Sequence, residues 1–265
     1  MSKLVSDKLW ALVEPLLPPP AVRRVRFPGR KRVPDRVALS VIVFVLKTGI
    51  PWEDVPHEMG CSGMTAWNRL NEWQKAGVWD KVHQAILDEL DAHGKLDRSK
   101  GAADASSVRA TQGGDATGPN PTDRAKPGTK HHALTEGGGL PLATEVTSAN
   151  TNEVTQLKAL VEDIPPVKNP KTKRRRKRAP KKLLADRGYD SQPHREWLED
   201  RGIIPCLAKR NTPHGSGLGK ERWPVERLFA WLHDDRRLRV RDERRADIHK
   251  ALVSLAAALI CFAAL

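Results

Sequence analysis

Lys182-Leu183-Leu184-Ala185-Asp186-Arg187-Gly188-Tyr189-Asp190 is the stretch on which the reading of this chain turns. A short apolar run closed by an acid and a glycine turn reads as a buried strand over 182–186. Forward of it, a helix over 193–201 and a strand over 203–208 follow. Backward lie a helix over 152–162, stopped by Pro165-Pro166, and two strands, 130–135 and 142–147, flanking Gly137-Gly138-Gly139 as a hairpin. A further strand covers 100–106, and residues 109–128, rich in Gly, Pro, Thr and Asp, read as a loop. Beyond a polar stretch, Trp223-Pro224 opens a long helix, with Pro224 suited to a first helical position. The order β-β-β-α-β-α-β-α is that of a ribonuclease H-like α/β domain, a mixed sheet flanked by helices. It sets Asp104 on the first strand, Asp186 at the end of the fourth and Glu226 on the helix after the fifth. With first and fourth strands adjacent, the three acids converge.

Upstream, the chain reads as all-α. Ser6 caps a helix to about Leu17, stopped by Pro18-Pro19-Pro20. A basic arm follows, with Arg23, Arg24, Arg26, Arg30, Lys31, Arg32 and Arg36 against Asp35. Pro34 opens a helix over 37–46, ended near Gly49. Helices over 52–59 and 62–75 flank Gly60-Cys61, and another spans 78–93. Short helices around a glycine turn give a helix-turn-helix-like domain. Thr65, Asn68, Arg69 and Glu72 are expected on the exposed face of its second helix, with Met64, Trp67 and Leu70 inward. A small helical bundle without DNA contact fits the same pattern. The expected boundaries are 1–95 for the helical domain and 96–265 for the ribonuclease H-like domain, with a basic loop at about 165–182. Residues 168–182 carry ten Lys or Arg in fifteen positions, a solvated loop able to contact phosphates non-specifically.

The 265 residues carry a formal charge of +14 and a pI near 10.0, with 39% hydrophobic residues. That composition excludes a disordered chain and points to a polyanionic partner, nucleic acid before anionic membrane. Cys61, Cys206 and Cys261 form no Cys-x-x-Cys pair, so neither a disulfide framework nor a zinc site is expected. No signal-peptide stretch opens the chain. The apolar tail 251–265 is shorter than the roughly 20 residues of a membrane span and reads as a buried helix. The expected location is therefore the cytoplasm, at the nucleoid, with no membrane partner.

Three carboxylates on a cationic chain suit divalent metal held against phosphate. Two Mg²⁺ ions about 3.5–4 Å apart can activate an attacking oxygen and stabilise a leaving one. Mg²⁺ takes oxygen ligands, and Mn²⁺ can replace it. Without metal, converging carboxylates repel, and at least one should hold its proton more tightly. Read singly, Asp104 also fits a turn, Asp186 a cap, and Glu226 an ion pair with Arg222 or Arg227.

The contexts of these acids resemble the DDE transposases of bacterial insertion sequences, specifically the insertion-sequence-five family. The similarity runs through Gly49-Ile50-Pro51-Trp52-Glu53-Asp54-Val55-Pro56 and through Trp73 to Trp79. It continues at Asp104-Ala105-Ser106-Ser107-Val108-Arg109-Ala110, Ala185-Asp186-Arg187-Gly188-Tyr189-Asp190-Ser191, and Arg222 to Leu232 followed by Arg236-Arg237-Leu238. The pattern departs in two places. Gly219 stands where a Tyr is frequent, and His233 where a Lys or Arg is frequent.

The resemblance implies metal-dependent cutting of double-stranded DNA at the element's terminal repeats, then attack of the freed 3′-hydroxyl on target DNA. Asp104, Asp186 and Glu226 would be catalytic and metal-binding, with Arg222 near the scissile phosphate. Further DNA contacts are expected from His233, Arg227, Arg236, Arg237, Arg24, Arg26, Arg30, Lys31, Arg32, Asn68 and Arg69. A homodimer or higher assembly on DNA follows from cutting two ends in one event. His131 and His132 fit core packing better than ligation; Asn150 and Asn152 fit a cleft or a turn; Trp223 and Trp231 fit base stacking or core. Two other readings remain: a non-catalytic DNA-binding derivative, and a ribonuclease H-like nuclease without strand transfer.

Overall fold

The parallel pairing of two strands places everything else. In a computed structural model of the chain, which describes residues 4–20, 22, 26, 30–168, 175–176, 179–210 and 219–265, the strands are β1 (Gly101–Ala110), β2 (Gly118–Pro119), β3 (Pro127–Glu136), β4 (Pro141–Ser148), β5 (Val167–Lys168), β6 (Arg175–Arg176), β7 (Lys182–Ala185), β8 (Ile204–Leu207) and β9 (Val240–Arg241). The main sheet runs β2-β3-β1-β7-β8, with β4 on β3 and β9 on β1. β1, β3 and β4 are antiparallel, whereas β7 is parallel to β1 and to β8. This is the ribonuclease H-like arrangement, with the first and fourth long strands side by side at its centre.

The helices are α1 (Asp7–Val13), α2 (Asp35–Thr48), α3 (Gly63–Lys75), α4 (Val78–Ala92), α5 (Leu157–Glu162), α6 (Gln192–Glu199), α7 (Gly219–Asp234) and α8 (Ala246–Ala263). Local rules set most of their ends. Ser6 and Ser62 accept from Leu9 N and Thr65 N, satisfying first-turn donors. Gly49 closes α2 in the left-handed region at φ 73°.

Several expectations shift. Residues 52–59 form two 3-10 turns, Trp52–Asp54 and His57–Met59, instead of a helix. Pro56 lacks the N–H that a continuous helix would bond to the carbonyl of Trp52. The turn before α3 is therefore wider than that of a tight helix-turn-helix. α7 begins at Gly219, so Pro224 lies inside the helix rather than at its first position. There it leaves the carbonyl of Lys220 without a helical donor. Met64 is 64% exposed, because the buried stripe of α3 is Gly63, Ala66, Leu70 and Trp73. β1 runs past 106 into the expected loop, and part of the basic segment pairs, Val167–Lys168 with Arg175–Arg176. The rest of that segment, 169–174 and 177–178, lies outside the described residues.

α8 joins the two halves of the chain. By length and composition it could cross a membrane, but here it buries Ile248, Ala251, Leu252, Val253, Leu255 and Ala256 between α4, α3 and β4. One continuous apolar core extends from Val5 and Leu9 through Trp73 and Trp79 to the sheet.

Candidate active site

Register brings the first two acids together. Ala102 pairs with Leu184 across the parallel β1–β7 ladder. Two residues on, side chains return to the same face, so Asp104 stands beside Asp186 where β7 ends. Asp186 also caps the turn Arg187–Tyr189, its Oδ1 accepting from Gly188 N at 2.8 Å. The third carboxylate that meets them is Glu153, from the 3-10 turn Glu153–Gln156 after β4. One ligand oxygen from each of Asp104, Glu153 and Asp186 lies within 4.8 Å of the others. Gly188 permits this approach: a Cβ there would sit 2.9 Å from Asp186 Oδ1 and 3.0 Å from Glu153 Oε2.

Basic groups hold the cluster together. Arg222 Nη2, reaching in from α7, donates to Asp104 Oδ2 at 2.6 Å. Lys130 Nζ on β3 donates to Glu153 Oε1 at 3.1 Å and to Thr151 O at 3.0 Å. Burial pushes the Asp104 carboxyl above its ordinary range; Arg222 and the Ala105 N–H oppose this, while Asp186 and Glu153 add repulsion. Tyr189, at the end of the turn that Asp186 caps, is fully buried, and its hydroxyl finds no hydrogen-bond partner among the described residues. Burial and the charges of Glu153, Asp104 and Asp186 keep that hydroxyl protonated.

The remaining α7 residues part company. Glu226 is exposed on α7 and does not join the group formed by Asp104, Glu153 and Asp186. Arg227 lies between the rings of Trp223 and Trp231, 4.4 and 4.5 Å from their centroids, and donates to Gly138 O. Trp223 keeps 44% of its surface exposed. His233 turns inward, its ring 6.2 Å from that of His131, and burial and Arg239 lower its proton affinity. A neutral imidazole therefore stands where a fixed positive charge was expected. Arg237 is also turned inward: it donates to Glu243 Oε1 at 2.8 Å and to Ile50 O at 3.1 Å. Burial so removes Arg237 from direct phosphate contact, while Arg236 is exposed. His131 and His132 are buried, with His131 Nε2 2.8 Å from His249 Nε2. Asn152 caps its own turn, accepting from Val154 N, and Asn150 is exposed.

The transposase DDE domain family matches residues 95–261, more than half of the chain. The chain belongs to the DDE transposases. "Putative transposase of IS4/5 family (DUF4096)" matches residues 5–83 of this transposase. A Burkholderia cepacia protein, "Putative transposase for insertion sequence element IS402", is 58% identical over 146 residues, 55% of this chain and 68% of that one. A second from the same organism, "Insertion element IS402 uncharacterized 16.2 kDa protein", is 52% identical over 119 residues, 44% of this chain and 81% of that one. Among solved structures, "Crystal structure of a pre-cleavage Mos1 transpososome" has a TM-score of 0.28 at 13% identity, covering 89% of this chain and 79% of that one.

In the transposase's helical part, Arg26, Arg30, Lys31 and Asn68 are exposed, and Arg24 lies outside the described residues. Arg69 and Arg32 are less exposed and ion-paired. Arg69 donates to Asp35 Oδ1 at 2.8 Å and Glu72 Oε2 at 2.9 Å, and Arg32 bridges the same two acids. These pairs fasten α2 to α3. The acid cluster itself fits a hard divalent cation: its donors are all carboxylate oxygens, with no sulfur or imidazole among them.

Proposed function

We propose that this transposase cuts double-stranded DNA at the terminal repeats of its element and joins the freed 3′-hydroxyl to target DNA. The carrying observation is the β1–β7 register that sets Asp104 beside Asp186. Asp104 and Asp186 would hold Mg²⁺, with Mn²⁺ able to substitute, and Glu226 would add a carboxylate from α7. Two such ions, when bound, neutralise charge developing on the attacking and leaving oxygens of a phosphodiester.

The chain's own residues supply the positioning. Arg222 covers Asp104 Oδ2; exchanging that carboxylate for a DNA phosphate would both anchor the strand and free the acid. Arg236 extends the basic face at the end of α7. Residues 1–95, led by Arg26, Arg30, Lys31 and Asn68, would grip the terminal repeat, while 96–265 carry the chemistry. The net charge of +14 favours any DNA through counterion release, at the nucleoid in the cytoplasm. Two ends cut in one event call for at least a homodimer on DNA.

The decisive test is Mg²⁺-dependent cleavage and joining on DNA bearing the element's own terminal repeats. Wild type is expected to cut and join, and Asp186→Asn to bind without cutting. Binding without cutting by both would leave a DNA-binding derivative. Cut ends that are never joined would leave a nuclease.

A further inference from the structure

We infer that Glu153 is a further carboxylate ligand of the divalent cation, supplied from the turn after β4 in addition to Asp104, Asp186 and Glu226. This rests on the metal-dependent reading above and adds a residue to it. Three observations converge on Glu153. Its ligand oxygen shares a 4.8 Å group with those of Asp104 and Asp186. Its two oxygens are differentiated: Oε1 accepts from Lys130 at 3.1 Å, while Oε2 faces the bare Cα of Gly188, alongside Asp186 Oδ1. The fully buried Tyr189, whose hydroxyl has no partner among the described residues, lies in the field of the same three carboxylates.

A buried donor without an acceptor is costly. A water bound to a cation among these acids would give the Tyr189 hydroxyl its acceptor. Lys130 is then a placeholder. Its ammonium neutralises Glu153 in the cation-free chain and competes with the cation for it. A purely structural Glu153–Lys130 pair would serve the turn after β4 but would have no reason to face Asp186 across a glycine.

The test is Mn²⁺ titration of the full chain without DNA, following free Mn²⁺ by electron paramagnetic resonance, with melting curves in EDTA as a control on folding. Glu153→Gln is expected to weaken Mn²⁺ binding about tenfold, as Asp186→Asn does. Lys130→Met is expected to tighten it about threefold, the worth of one partly exposed ion pair. Wild-type affinity in Glu153→Gln, with Asp186→Asn weakened, overturns the role of Glu153 and leaves the metal reading standing. Binding unmoved by both Glu153→Gln and Asp186→Asn overturns the metal reading itself. Should Glu153→Gln melt lower in EDTA, Lys130→Met decides, and unchanged or weaker binding there overturns the inference.

Discussion

Gly188 shows how little separates a cation site from a pair of repelling acids. A methyl group there meets only the tips of Asp186 and Glu153, which can swing aside at small cost to the fold. Gly188→Ala is therefore expected to cut Mn²⁺ affinity several-fold while its melting temperature stays within about 2 °C; a titration beside a melting curve checks it. Asp235 offers a test of the opposite kind. It is 7% exposed, its nearest cation is Lys47 at 4.0 Å, and burial pushes its carboxyl up to about 6. The folded chain binds that proton more tightly than the unfolded one. The contribution is thus full below about pH 4 and is lost as pH rises through 6. Asp235→Asn should stabilise the protein by about 2 kcal/mol at pH 8 and by nothing at pH 4, measured by denaturant unfolding. At this scale the sequence was legible where periodicity governs. Asp104 sits on a strand, and Asp186 one residue past the end of another, whose alternation can be counted. Glu153 escaped because a four-residue 3-10 turn leaves no period to read, and the residue looked like the start of a helix. Arg237 and His233 escaped for another reason: charge type suggests solvent, and only the tertiary partners Glu243, Ile50 and His131 reveal burial.

Helices and strands were legible where a cap or an alternating run marks them. The hairpin around Gly137-Gly138-Gly139 and the caps Ser6 and Gly49 fall where local chemistry puts them. Proline rules were the weak point. Pro56 splits an expected helix into two 3-10 turns, and Pro224 is tolerated within α7 rather than opening it. Among the described glycines the closest approach lies at Gly63, where a Cβ would fall 1.7 Å from the carbonyl oxygen of Trp52. Backbone, unlike a side-chain tip, cannot swing away. Gly63→Ala is expected to force α3 off the 3-10 turn and cost about 3 kcal/mol, seen as a loss of thermal stability by circular dichroism. An unchanged melting temperature would mean that α3 and the Trp52 turn do not pack this way.

Across the whole molecule one apolar core is shared by the helical and sheet regions, so they are expected to unfold as one cooperative unit. Arg237 fastens them, buried against Glu243 and donating to the carbonyl of Ile50 between α2 and α3. Arg237→Met leaves the buried Glu243 carboxylate with His249 alone, 3.6 Å from its Oε2, and about 3 kcal/mol of stability should go with the lost guanidinium. Calorimetry should show one transition moving down; two separate transitions would mean that the regions melt independently. Sequence order hid this coupling, because nothing local in α8 says that its apolar faces touch α4 as well as β4. The same arrangement has a consequence in time. α4 ends at Ala92, yet the helix that covers it begins at Ala246. At roughly 5–20 residues per second of synthesis, α4 waits on the order of ten seconds for its cover. A nascent chain therefore carries an uncovered apolar helix until α8 has been made, a window in which chaperone supply, rather than the finished fold, governs the yield of transposase.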